Sequence, residues 1–117
     1  MLFERAEELG RLIGQTNEAK ALRRAEEQLR GDEETRTRLE KMQTLARQLD
    51  AAMAQGQLPD EAAAQGYEQA VREFELSPIG QSYIVARSNF EKLMAKVNEQ
   101  MGAGIEKGAA SSIITLG

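Results

Sequence analysis

Apolar residues along this chain recur at spacings of three and four and almost never alternate, so the pattern predicts helices and an all-α fold class. Leu2, Ala6, Leu9 and Ile13 form one stripe on a first helix, which Gly14 weakens and Thr16 interrupts. Thr16 is a predicted N-cap for a second helix over residues 17–30, with Ala19, Leu22, Ala25 and Leu29 on its inner face. Gly31 is read as the stop of that helix. Asp32 then caps a third, with Glu33 and Glu34 in the first turn, where the helix dipole favours negative charge. The third helix is predicted over residues 33–55. Its apolar residues Leu39, Met42, Ala46, Leu49 and Met53 step by three, four, three and four, the 3.5-residue repeat of a coiled-coil seam. At 1.5 Å per residue such a helix reaches roughly 35 Å, which predicts an elongated molecule. Gly56 ends it, and Leu58-Pro59-Asp60-Glu61 starts a fourth, with Pro59 near the first turn, where its missing N–H costs nothing. Ala63, Tyr67, Ala70, Val71 and Phe74 share one side of that fourth helix.

Ser77-Pro78 repeats the start signal, a hydroxyl cap followed by proline, and opens a second long helix. Ile79, Tyr83, Ala86, Phe90, Leu93, Val97 and Met101 step along it by four and three, so it is expected to lie antiparallel along the third helix and interlock with it. After Met101 the pattern dissolves into Gly102, Gly104, Gly108, Ala109, Ala110, Ser111 and Ser112, a composition expected to be loose, with Ile113-Ile114-Thr115-Leu116 as a frayed end. The domain reading is therefore a single helical domain over 1–101 and a flexible tail over 102–117. The architecture expected is an elongated antiparallel bundle of about five helices, dimerising through helix packing.

Composition narrows the chemistry. The 117 residues contain no cysteine and no histidine, which removes disulfides, thiolate zinc sites, cysteine nucleophiles and the usual general base. A net charge of −4 argues against a dedicated nucleic-acid surface. Residues 1–15 mix Glu4, Arg5, Glu7 and Glu8 into the apolar stripe, unlike a signal peptide, and no apolar run nears the roughly 20 residues of a membrane span. A cytoplasmic location is expected. Neighbouring carboxylates such as Glu4 with Glu8, Glu26 with Glu27, Glu33 with Glu34 and Glu73 with Glu75 read as solvated faces, with Glu7–Arg11, Glu26–Arg30, Glu34–Arg38 and Glu68–Arg72 in favourable i, i+4 order. Catalytic residues, metal ligands and cofactor sites are expected to be absent. The glycines from Gly102 to Gly108 follow a helix and lack the strand that a phosphate-binding loop needs. Lys20, Arg23, Arg24 and Arg30 are balanced by nearby acids, so RNA binding by that face is not favoured.

What remains is surface. Seventeen of the 48 apolar residues are alanine, leaving a thin core and seams that call for cover by a second copy or another protein. The expected interface comprises Leu39, Met42, Leu49 and Met53 of the third helix and Tyr83, Phe90, Leu93, Val97 and Met101 of the fifth. From position 59 to 75, Asp60, Glu61, Glu68, Glu73 and Glu75 face only Arg72, an acidic stretch suited to steering a basic partner. The function read from these features is a non-enzymatic interaction protein, a homodimer with further protein partners and no membrane insertion. The alternatives are a carboxylate-based metal-binding protein or enzyme, and a weak RNA-binding accessory protein.

The order of pieces also resembles a known family. Glu8-Leu9-Gly10 followed by Ile13, the Thr16 break, the stretch over 25–32, the long third helix and Ser77-Pro78-Ile79 leading into Tyr83 look like the YlbF/YmcA family, which includes YheA-like proteins. The likeness covers about residues 2–105 and rests on pattern. It implies small, all-helical, cytoplasmic bacterial proteins that form dimers or larger assemblies and regulate without enzymatic activity. For some members it implies a heteromeric complex that modulates RNA maturation by a membrane-anchored endoribonuclease, and through it competence, sporulation and biofilm formation. That complex carries cysteine-held iron–sulfur clusters. Without cysteine this chain cannot ligate one, so the likeness points to the YheA-like branch or to partners that supply every ligand.

Overall fold

The computed structural model describes residues 1–58 and 60–116, with side chains described through residue 110 apart from position 59. Pro59 and its expected place in a first helical turn lie outside the described residues. Five helices follow one another: α1 (Leu2–Gly14), α2 (Asn17–Gly31), α3 (Glu33–Ala54), α4 (Glu61–Leu76) and α5 (Pro78–Leu116). The all-α architecture with two long helices is the one the spacing predicts.

Each joint has its own chemistry. Between α1 and α2, the Thr16 hydroxyl accepts from the Ala19 N–H at 3.2 Å and donates to the Ile13 carbonyl at 2.7 Å, so one side chain caps both ends. Asp32 alone separates α2 from α3, in extended geometry at φ −113° and ψ 105°. Its carboxylate accepts from the Thr35 N–H at 3.2 Å and from the Thr35 hydroxyl. Gly31 is the last residue of α2 rather than its stop. The chain breaks one residue later because the Asp32 side chain satisfies the free donors of the next helix. At the end of α3, Gly56 adopts φ 75°, the Gly56 N–H donates to the Met53 carbonyl and the Gln57 N–H to the Ala52 carbonyl. This paired closure needs a left-handed residue, which glycine supplies without steric cost.

The fourth joint is the tightest. The Ser77 N–H and hydroxyl both donate to the Phe74 carbonyl, at 3.2 and 2.9 Å, and the Ser77 oxygen accepts from the Gly80 N–H at 3.0 Å. A Cβ on Gly80 would stand 2.1 Å from the Phe74 carbonyl oxygen and 2.6 Å from the Ser77 hydroxyl oxygen. Only a residue without a side chain lets the first turn of α5 approach the last turn of α4 this closely.

The helices pair as two arms. α5 packs chiefly along α2 and secondarily on α4, while α3 packs chiefly along α4. The expectation that α3 and α5 interlock therefore does not hold. The turn at Gly56 folds α4 back onto α3, and the corner at Ser77–Gly80 sends α5 back along α2 instead. Among the described residues, the fully buried apolar side chains are Ala19, Ala25, Leu29, Ala70, Phe74 and Ala86, joined by the polar Thr35 and Ser77. Leu29 and Thr35 flank the Asp32 joint and Phe74 the Ser77 corner, while Ala25 and Ala86 line the groove between α2 and α5. Phe74 is 1% exposed and meets Tyr83 edge to face, with ring centroids 6.3 Å apart. The radius of gyration is 20.3 Å, against about 13 Å for a compact chain of this length. The extents of 62 × 38 × 19 Å make the protein a slab two helices thick.

Beyond Met101, α5 keeps helical geometry to Leu116, across the glycine-rich stretch. From Met101 to Ala110 every residue is exposed, so this length of α5 extends beyond the protomer's own packing.

Candidate interaction surface

The expected interface residues fall on two separate arms. On α3, Leu39, Met42 and Leu49 are half-buried along the side shared with α4, and Met53 is exposed near the Gly56 turn. On α5, Tyr83, Phe90, Leu93 and Val97 are half-buried and Met101 is half exposed. The structure does not bring the two sets together into one groove. Each set lies on its own arm, with Met53 and Met101 open to solvent and Tyr83 turned to Phe74 of α4.

A further open apolar surface lies elsewhere, on α1. None of its residues is buried, although Leu2, Ala6, Leu9 and Ile13 share one stripe and Phe3 and Leu12 widen it on either side. Phe3 is 84% and Leu2 74% exposed. The sequence marks the stripe, but nothing local says that the rest of the chain leaves it uncovered. Leu9 borders a shallow depression with Val97 and Met101 of α5, so the stripes of the two helices run next to each other. Residues 28 to 9 pass α5 residues 81 to 101 in reverse order, so α2 runs antiparallel to α5 and Leu9 of α1 continues that line.

A second groove, about 530 Å³, lies between α2 and α5, with Arg24, Gln28, Gln81, Ser82 and Asn89 among its walls. No carboxylate lines it, so it offers no acid pair for general acid–base work. Among the described residues, no group of three or more Asp or Glu side chains is placed to hold a metal ion. Cysteine and histidine are absent from the whole chain, so the iron–sulfur cluster implied by the resemblance finds no donor set here.

Asp60, Glu61, Glu68, Glu73 and Glu75 are all exposed. Glu61, Glu68 and Glu75 recur every seven residues and share one face of α4, while Glu73 stands round the helix, where its carboxylate accepts from the Gln69 amide at 3.4 Å. Of the four expected i, i+4 ion pairs, Glu34–Arg38 forms, at 2.7 Å, and Arg11 turns to Glu8 rather than Glu7. A further pair, Arg87 with Glu91 at 3.1 Å, lies on α5. The hydrogen bond to Glu91, followed by the influence of Tyr83, raises the Arg87 pKa above its ordinary value.

These features define an all-helical scaffold whose exposed faces are apolar on α1 and acidic on α4. The family model described as control of competence regulator ComK, YlbF/YmcA, matches residues 2–106, and the chain belongs to that family, as the pattern from Glu8 to Tyr83 implies. Among solved structures, the X-ray crystal structure of Bacillus subtilis RicA in complex with RicF shares the fold. Its TM-score is 0.70 at 19% identity, over 92% of this chain and 96% of that one. No curated protein sequence matches the chain. Among the described residues, no helix is long and apolar enough to cross a membrane.

Proposed function

We propose that this chain is a non-enzymatic regulatory subunit of the cytoplasm that acts by docking onto other proteins, and that it assembles first as a homodimer. The observation that carries the reading is the open N-terminal half of the apolar row on α1, with Leu2 and Phe3 standing in solvent. A helix whose apolar stripe is only partly covered inside its own protomer is most stable against another chain. The family's description as control of competence regulator ComK and the similarity to a protein crystallised with a protein partner support the same reading. In this scheme the apolar faces supply affinity, and the acidic face of α4 steers a basic partner during encounter. A role in RNA maturation, as the family resemblance implies, would then be exerted through the bound partner.

Sedimentation equilibrium at micromolar concentration tests the first step. The expected species has twice the 12.9 kDa chain mass, and a stable monomer overturns the dimer. Affinity capture from the native cytoplasm tests the second. Recovery of one defined stoichiometric partner is expected, and recovery of the chain alone overturns the docking role.

A further inference from the structure

We infer that the trough between α2 and the first half of α5 seats an acidic amphipathic helix of another protein. The inference rests on the docking role proposed above, and gives it a surface and the chemistry of its occupant.

The trough is continuous. Toward the Ser77 corner, Ala21, Arg24 and Gln28 of α2 face Gln81, Ser82 and Val85 of α5. Toward α1, Asn17 and Glu18 face Lys92, Leu93 and Lys96, and Asn89 belongs to both parts. From position 81 to 96 the trough follows α5 for about 22 Å at 1.5 Å per residue, roughly four helical turns.

Its floor is made of small side chains. Ala25 and Ala86 are 4% and 7% exposed, so the floor is closed beneath them, whereas Val85 beside them is 53% exposed. Floors of this kind let a third helix settle about 8 to 10 Å from the axes of the other two. Val85 and the half-buried Leu93 then receive its apolar stripe.

Charge selects the occupant. Arg24, Lys92 and Lys96 line the trough against Glu18 alone, a local net of +2 on a chain whose net charge is −4. All three cations are exposed. Among the described residues none of them is in an ion pair, while Arg11, Arg38 and Arg87 each hold a carboxylate of their own helix. Carboxylates on either side of an incoming apolar stripe find a cation on each wall, Arg24 on α2 and the two lysines on α5. A basic helix meets like charge instead. A nucleic-acid strand finds the cations, but none of the lining residues is aromatic, so its bases have no platform on which to stack.

The probe is a fluorescein-labelled stapled helix of about 16 residues, with a Leu/Ala stripe flanked by Glu, and its counterpart carries Lys at every Glu. Anisotropy with the full-length protein is expected to show saturable, salt-sensitive binding of the Glu helix and at least tenfold weaker binding of the Lys helix. Arg24→Glu/Lys92→Glu/Lys96→Glu is expected to weaken the Glu helix at least tenfold with unchanged helical signal. Lys41→Glu/Arg47→Glu, on exposed positions of α3, is expected to leave its affinity unchanged. No binding of the Glu helix, equal binding of the Lys helix, an equal loss in the α3 variant, or tighter binding of a single-stranded RNA overturns the inference. So does a smaller sedimenting mass for the trough variant, which assigns the trough to a second copy. Affinity capture separates this surface from the docking role. A partner recovered undiminished by the trough variant overturns the surface and leaves the role standing, whereas an unaltered protein that recovers itself alone overturns the role.

Discussion

Gly80 is the residue on which the meeting of the two arms depends. Its φ is not left-handed, so the need for glycine there comes from the Phe74 carbonyl lying where a methyl group would go. Gly80→Ala must push α5 away from α4 and is expected to destabilise the protein by about 3 kcal/mol, lowering the midpoint of thermal unfolding by about 10 °C. The caps carry smaller weights. Thr16→Ala removes the acceptor for the Ala19 N–H and should cost about 1 kcal/mol by chemical denaturation, with Thr16→Ser retaining most of it. Both caps were readable, since a short hydroxyl or carboxylate before a helical stripe has one favourable use. Gly80 was not. It looks like a weak spot in a helix until the neighbouring strand of backbone is placed beside it.

At the scale of the helices, the sequence specified each apolar face and left the choice of neighbour open. The half-buried side of α4, from Ala63 to Val71, is the one its spacing indicates, and the buried Ala19, Ala25 and Leu29 of α2 are likewise as spaced. The seams of α3 and α5 share nearly the same period, so each is compatible with the other and with several partners. Selection among them is made by the joints, Gly56 returning α4 onto α3 and Ser77 directing α5 to α2. Leu93→Asp sets a charge on the half-buried edge of α5 and is expected to loosen its packing on α2, seen as lost helical signal and a lower unfolding midpoint. Ending the chain after Met101 is a contrasting change. Burial against the protomer has ceased by then, so the shortened chain should keep its unfolding cooperativity, measured by circular dichroism, while its self-association weakens.

For the whole molecule, elongation was legible from the length of the third helix, whereas the uncovered α1 was not, because a stripe in a sequence does not say whether it will be buried. Charges placed on exposed apolar positions make that difference measurable. A Phe3→Glu/Ile105→Glu variant should give small-angle scattering with a radius of gyration near 20.3 Å, and the unaltered protein a larger value. The 19 Å thickness has a wider consequence. A plate with so little interior asks few positions for a particular size or shape, so most of its letters are free to drift while the outline persists. Kinship among proteins built this way will be traced more deeply by comparing corners and joints than by aligning the faces between them.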